Sequence, residues 1–217
     1  AALSIALGGG PLPDVPDDLA PGGGLRPLPA RRHPEWIRSR LPSGENYHDL
    51  KSLLGGLNLN TVCEEARCPN IGECWDQRTA TVMILGDTCT RACGFCAIKT
   101  GRPTWFDDDE LPDGGAGAFA ATIRELRTRS PGMGVEVLIP DFNGEEAPLR
   151  AVMAAGPDIL NHNLETVRRL QKPVRKRARW DRTLGVLERG KTYAVEYGHA
   201  VHTKSSLMVG LGETRAE

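Results

Sequence analysis

All six cysteines of this 217-residue chain fall between Cys63 and Cys96, in two triplets, and no other feature restricts its chemistry as tightly. The first triplet is Cys63-x4-Cys68-x5-Cys74 and the second is Cys89-x3-Cys93-x2-Cys96. Three kinds of chemistry use cysteines at this density. A disulfide framework suits the even number, but such frameworks belong to small secreted domains. The apolar residues 1–7 have no basic residue before them and make a poor secretory signal. Structural zinc takes four tetrahedral ligands, usually as C-x2-C pairs or with paired histidines. Only Cys93 and Cys96 have that pair spacing, and no histidine lies between the triplets. Iron–sulfur clusters take thiolates, and a tight cysteine run lets one loop wrap the corners of a cube. Three thiolates leave one iron of a [4Fe–4S] cluster open to another ligand, which makes a site of reaction.

The rest of the composition is ordinary. With 27 basic and 28 acidic residues the net charge is -1, so nothing global favours nucleic acid or an anionic membrane as partner. No apolar run approaches the roughly 18 residues that a membrane span needs. The expectation is a soluble, intracellular protein with a cytoplasmic location, where thiolates and clusters survive.

Residues 8–29 hold six glycines and six prolines, so residues 1–30 read as a flexible tail. A cysteine-rich extension over 31–78 follows, with a helix over 45–54 carried by leucines at helical spacing. Residues 79–217 change pattern. Short apolar runs at 81–85, 135–139, 158–161 and 207–209 predict strands. Helical stretches carrying Phe119, Ile123 and Leu126, then Leu149, Val152 and Met153, then 165–170 and 181–188, alternate with them. Apolar strands alternating with amphipathic helices predict an α/β fold, a partial (β/α) barrel of parallel strands, because a complete eight-stranded barrel takes about 250 residues. The second triplet follows the C-terminal end of the first such strand, where barrel enzymes place their chemistry.

Cys89-x3-Cys93-Gly94-Phe95-Cys96 resembles the cysteine motif of the radical S-adenosylmethionine superfamily. The other triplet narrows the resemblance. Val62-Cys63-Glu64-Glu65-Ala66-Arg67-Cys68-Pro69-Asn70-Ile71-Gly72-Glu73-Cys74-Trp75 resembles the lipoyl synthases, as do Asn161-His162-Asn163-Leu164-Glu165-Thr166 and Thr203-Lys204-Ser205-Ser206-Leu207-Met208. The resemblance implies an enzyme with two [4Fe–4S] clusters and S-adenosyl-L-methionine. Cys89, Cys93 and Cys96 would hold the cluster that cleaves S-adenosylmethionine to a 5′-deoxyadenosyl radical, which takes hydrogen from C6 and C8 of an octanoyl chain. Cys63, Cys68 and Cys74 would hold an auxiliary cluster consumed as sulfur donor. The implied partners are an octanoylated lipoyl-carrier domain or protein and an electron donor such as a ferredoxin or flavodoxin, with no nucleic acid and no membrane.

By the same resemblance Phe95 lies near the adenine, where a packed core aromatic is the alternative. Asp113, Gly114 and Gly115 would meet the methionine part of S-adenosylmethionine; read alone they make a turn. Asn161, Asn163 and Glu165 would contact it at a strand end, with helix capping as the alternative for Asn163. His162 reads as a core or rim histidine. The basic residues Arg168, Arg169, Lys172, Arg175, Lys176, Arg177, Arg179 and Arg182 read as a solvated face or as a patch that steers an acidic carrier. Residues 107–110 read as a solvated acidic turn.

Two departures from the family pattern stand out. Lipoyl synthases carry a helix and a strand between the acidic segment and Leu-Pro-Asp-Gly-Gly, whereas here Glu110 runs directly into Leu111. Their closing Arg-Ser-Ser-Tyr motif is also absent before Glu217, and Ser205 and Ser206 belong to a different motif. An inactive iron–sulfur or electron-transfer relative, or a zinc-stabilised module, are the competing expectations.

Overall fold

A computed structural model describes residues 2–5, 41–101 and 113–217. The acidic turn expected at 107–110 and most of the expected tail lie outside these residues. The architecture is mixed α/β, a five-stranded sheet of order β2-β1-β3-β4-β5. Its strands are β1 (Ala2–Ile5), β2 (Ala80–Met83), β3 (Glu136–Leu138), β4 (Ile159–Asn161) and β5 (His202–Lys204). β3–β4 and β4–β5 pair in parallel, and β1 runs antiparallel to both of its neighbours. The flexible tail expected over residues 1–30 is therefore corrected at Ala2–Ile5. These residues lie ahead of the glycine- and proline-rich stretch and are free to make ladder hydrogen bonds.

The crossover helices carry the apolar spacing read from the sequence. They are α4 (Ala116–Arg129), α5 (Glu146–Ala154) and α7 (Trp180–Glu196). Phe119 and Ile123 of α4, Leu149 and Val152 of α5, and Val186 of α7 pack with Val137 of β3 and Leu160 of β4 in the main core. α7 comes so close to β4 that a Cβ at Gly190 would lie 2.1 Å from Leu160 Cδ2, so only glycine fits there.

Strand alternation then sets the opposite face. Val137 and Leu160 point to the helices, so Glu136 of β3, Asn161 of β4 and Lys204 of β5 share the other side. That inner face is polar, and its groups bond to one another.

A second, smaller core joins Tyr47, Leu50 and Leu54 of α1 (Glu45–Gly56) to Cys63, Trp75 and Ala80. It lies beneath α2 (Val62–Glu65) and α3 (Ile71–Asp76). Two expectations fail on particular residues. The apolar run 207–209 is not a strand: Leu207 makes a single bridge to Glu165, and Val209 is exposed. The last strand is the polar His-Thr-Lys at 202–204, an edge position that needs no apolar run on both faces. The helix expected over 165–170 is a 3-10 turn at Arg168–Leu170 leading into α6 (Gln171–Val174).

Candidate functional site

The first triplet is built by local structure. Thr61 Oγ1 accepts the Glu64 backbone N–H at 3.2 Å, and its hydroxyl donates to Glu64 Oε2 at 3.0 Å. This reciprocal cap opens α2, on which Cys63 is buried. Arg67 then takes a left-handed φ of 51°, and the Cys68 N–H returns to the Cys63 carbonyl at 3.0 Å. α3 carries Cys74, anchored by the fully buried Trp75, whose ring stands 5.3 Å from that of Tyr47.

The second triplet lies on a segment without helix or strand. The Cys89 N–H donates to the Lys99 carbonyl at 2.9 Å and the Gly101 N–H to the Cys89 carbonyl at 3.1 Å, closing the loop. Ala92, next to Cys93, is left-handed with φ 50°. Non-glycine residues held this way beside a ligand candidate in each triplet are the kind of strain that collects at functional sites. Distant residues hold the loop in place. The Gly94 N–H donates to the Val174 carbonyl at 3.0 Å, Arg177 Nη1 donates to the Thr90 carbonyl at 3.1 Å, and Arg91 pairs with Asp141 at 3.3 Å.

All six cysteines are free thiols, so the disulfide alternative is not what folds this chain. Burial pushes the Cys74 thiol up, and the nearby Cys63 and Cys68 add to the shift. Burial pushes Cys96 up in the same way, with Cys89, Cys93 and Glu165 contributing. Each triplet is thus close enough for its members to disfavour one another's thiolates, which a bound cation would relieve. Among the described residues no three His, Cys, Asp or Glu side chains close on one metal-ion position. The thiols are grouped without being gathered onto a single ion.

Between the triplets lies the polar inner face. Lys204 Nζ donates to both Glu136 oxygens at 3.0 Å, and Asn161 Nδ2 donates to Glu136 Oε1 at 2.7 Å. The Lys204 ammonium is also near enough to Cys74 to favour its thiolate. Asn163 Nδ2 donates to Glu165 Oε1 at 2.9 Å, and Glu165 is held at φ 63°. Asn161 Oδ1 and Asn163 Oδ1 are buried acceptors with no donor among the described residues. Helix capping does not explain Asn163, because no helix begins on it. Such orphaned acceptors suit a ligand rich in N–H and O–H groups.

The other expected residues divide. Phe95 is half-buried and belongs to neither apolar core. Asp113 Oδ1 accepts the Gly115 N–H at 2.9 Å and Oδ2 the Gly117 N–H at 2.5 Å, so both oxygens serve the entry to α4. Gly115, at φ 88°, is needed there because a Cβ would lie 2.6 Å from Leu85 Cδ1. His162 is buried, its Nδ1 2.8 Å from the Ile139 carbonyl and its Nε2 3.2 Å from Thr183 Oγ1; burial pushes its pKa down to about 4. The basic run is largely consumed within the chain. Arg168 pairs with Asp181, Arg169 with Glu217 and Arg182 with Asp141. The buried Arg175 donates to the Asn163 and Leu164 carbonyls at 2.7 and 3.0 Å. Glu136, Lys204 and Arg175 are site residues that their sequence context did not single out. Lys204 stood inside a quoted motif, but only strand pairing places it beside Glu136.

Residues 25–68 match the model of the N-terminal domain of lipoyl synthase of the radical SAM family. The lipoyl synthase of Koribacter versatilis is 50% identical over 218 residues, which take in 89% of this chain and 70% of that protein. Those of Rubrobacter xylanophilus and Symbiobacterium thermophilum are 50% and 51% identical, taking in 85% and 86% of this chain and 64% and 65% of theirs. The chain therefore spans about two thirds of the length of these relatives.

Proposed function

The chain belongs to the lipoyl synthase family of sulfurtransferases, and from that premise we propose how its residues divide the insertion of two sulfur atoms into a protein-bound octanoyl chain. Cys89, Cys93 and Cys96 would hold the [4Fe–4S] cluster that meets S-adenosylmethionine, and Cys63, Cys68 and Cys74 the auxiliary [4Fe–4S] cluster. When bound, these groups supply radical removal of hydrogen from C6 and C8 and sulfide for the new bonds.

One observation carries this reading. The charge of Lys204, the last residue of β5, reaches Cys74 weakly enough to rank last among the influences on its thiol, and that of Glu165, just past β4, reaches Cys96 in the same way. β4 and β5 are adjacent parallel strands, which supports a reading in which both triplets face one end of the same sheet. A carbon radical made at one triplet can be met by sulfide from the other only if they share a chamber, and positioning of this kind is where the protein contributes most.

The chain's own residues do three things there. Asn161 Oδ1 and Asn163 Oδ1, buried without a donor, would accept hydrogen bonds from S-adenosylmethionine, and Glu165 would accept others. Lys204, held by both Glu136 oxygens, would favour thiolate at Cys74, which its charge reaches. Arg175 ties the Asn163–Glu165 loop to the segment that bonds Gly94, so the S-adenosylmethionine contacts and the cysteine loop move as one unit. Asp113, Gly114 and Gly115 shape the start of α4, and Phe95 would lie near the adenine of bound S-adenosylmethionine. The domain reading follows the two cores: an extension over 31–78 with the first triplet and a partial radical SAM barrel over 79–217. The partners are the octanoylated carrier and a low-potential ferredoxin or flavodoxin, in the cytoplasm. Among the described residues no helix is long and apolar enough to cross a membrane.

The test separates the triplets. Cys96→Ala should abolish release of 5′-deoxyadenosine on reduction in the presence of S-adenosylmethionine. Cys68→Ala should leave that release intact and abolish sulfur insertion alone. A folded Cys68→Ala variant that loses both steps would refute the division of labour.

A further inference from the structure

We propose that the interval between β2 and β3 is a strand-acceptor site, and that Ala2–Ile5 of the same chain are its occupant. The direction of the strands points to it. β2 and β3 are each antiparallel to β1, so β2, β3, β4 and β5 all run one way and β1 alone is reversed among the described strands. β1 is also an interior strand. Ala2 pairs with Met83 and Leu138, Leu3 with Val82 and Val137, and Ser4 with Thr81 and Glu136. Neighbouring strands lie about 4.8 Å apart, so β2 and β3 stand roughly 10 Å from each other with a slot one strand wide between them.

The connections show why the slot exists. The crossovers through α5 and α7 join strands that pair directly, β3 to β4 and β4 to β5. The crossover through α4 skips a position. A second, independent observation agrees. The alignment with the Koribacter relative extends over 218 positions while taking in 89% of this 217-residue chain, so it passes over positions that the chain lacks. An empty slot would leave two facing rows of backbone N–H and C=O groups unpaired in the middle of a sheet, a costly arrangement that invites any extended segment to pair. Residues 1–7 contain no glycine, proline or charge, which is what an interior strand position demands. Recognition is through the main chain, so the site accepts an extended apolar peptide and tolerates the reversed direction. This inference does not depend on which cofactors the cysteines hold.

Selective isotope labelling of the unmodified chain tests it directly. Cross-strand nuclear Overhauser contacts from Leu3 to both Val82 and Val137 are expected; their absence overturns the proposal. Contacts that arise between chains in a mixed-label sample would assign the strand to a second copy and overturn the own-chain occupant. Leu3→Pro removes one ladder N–H and should speed amide exchange at Val82 or Val137 by at least about tenfold. Asp14→Pro, in a stretch already rich in proline, should leave it unchanged. A peptide of residues 1–7 added to Leu3→Pro should slow the exchange again. Unchanged exchange in Leu3→Pro would sink the idea, and if that variant fails to fold, the contacts in the unmodified chain decide.

Discussion

The two cysteine triplets are placed by opposite means. Cys63 and Cys74 ride on two short helices and Cys68 on the turn between them, with their own cap, their own return hydrogen bond and a small core around Trp75. Cys89, Cys93 and Cys96 lie on a bare loop held by Val174, Arg177 and Asp141, all remote in sequence. The first arrangement leans on the sheet only through β2, by Ala80 and the Thr61–Val82 bridge; the second exists only if the sheet and its crossovers are in place. Damage around the first triplet should therefore stay local, while damage to the sheet and its crossovers should reach the second triplet first.

The largest expected effect breaks the first region. Trp75→Ala empties a fully buried site and should cost about 3–5 kcal/mol, read as a lower denaturation midpoint. Iron retained by the first triplet should fall while the second triplet keeps its own. Equal loss from both would show that the regions are not independent.

A smaller effect acts on the wall that supports the second region. His162 is neutral when folded, and its pKa moves from the ordinary 6.5 down to about 4. The unfolded chain binds the proton more readily, so this contribution is complete above pH 6.5 and is lost as the pH falls toward 4. At full shift it amounts to about 3 kcal/mol. His162→Gln should flatten stability across that window, and an unchanged acid limb would contradict the burial argument.

The smallest effect sharpens the comparison at one side chain. Arg175→Met leaves the Asn163 and Leu164 carbonyls without that donor and should cost about 2 kcal/mol. Its specific readout is a higher KM for S-adenosylmethionine, with iron in the first triplet unchanged.

Much of this was legible beforehand. The helices α1, α4 and α5 and the strands β2, β3 and β4 follow apolar periodicity, which is local information. The missed elements share a cause. β5 is polar because it lies at an edge, and the run at 207–209 is apolar yet makes only one bridge, so composition misjudged both. The basic run reads as a solvated face, and most of it is exposed; the buried Arg175 departs from that, and the partner each of the others takes depends on what the fold brings near it. For Arg169 that partner is Glu217 and for Arg177 the Thr90 carbonyl.

The sequence alone determined the family, because spacing along a covalent chain carries the family's pattern whatever the rest does, and it sets which thiols one loop can offer together. Only the tertiary structure decided that Lys204 pairs with Glu136, that Arg175 reaches the Asn163 carbonyl, and that Ala2–Ile5 enter the sheet between β2 and β3. Those placements come from backbone pairing between segments far apart in the chain. Main-chain hydrogen bonds are nearly indifferent to side-chain identity, so no residue pattern announces them.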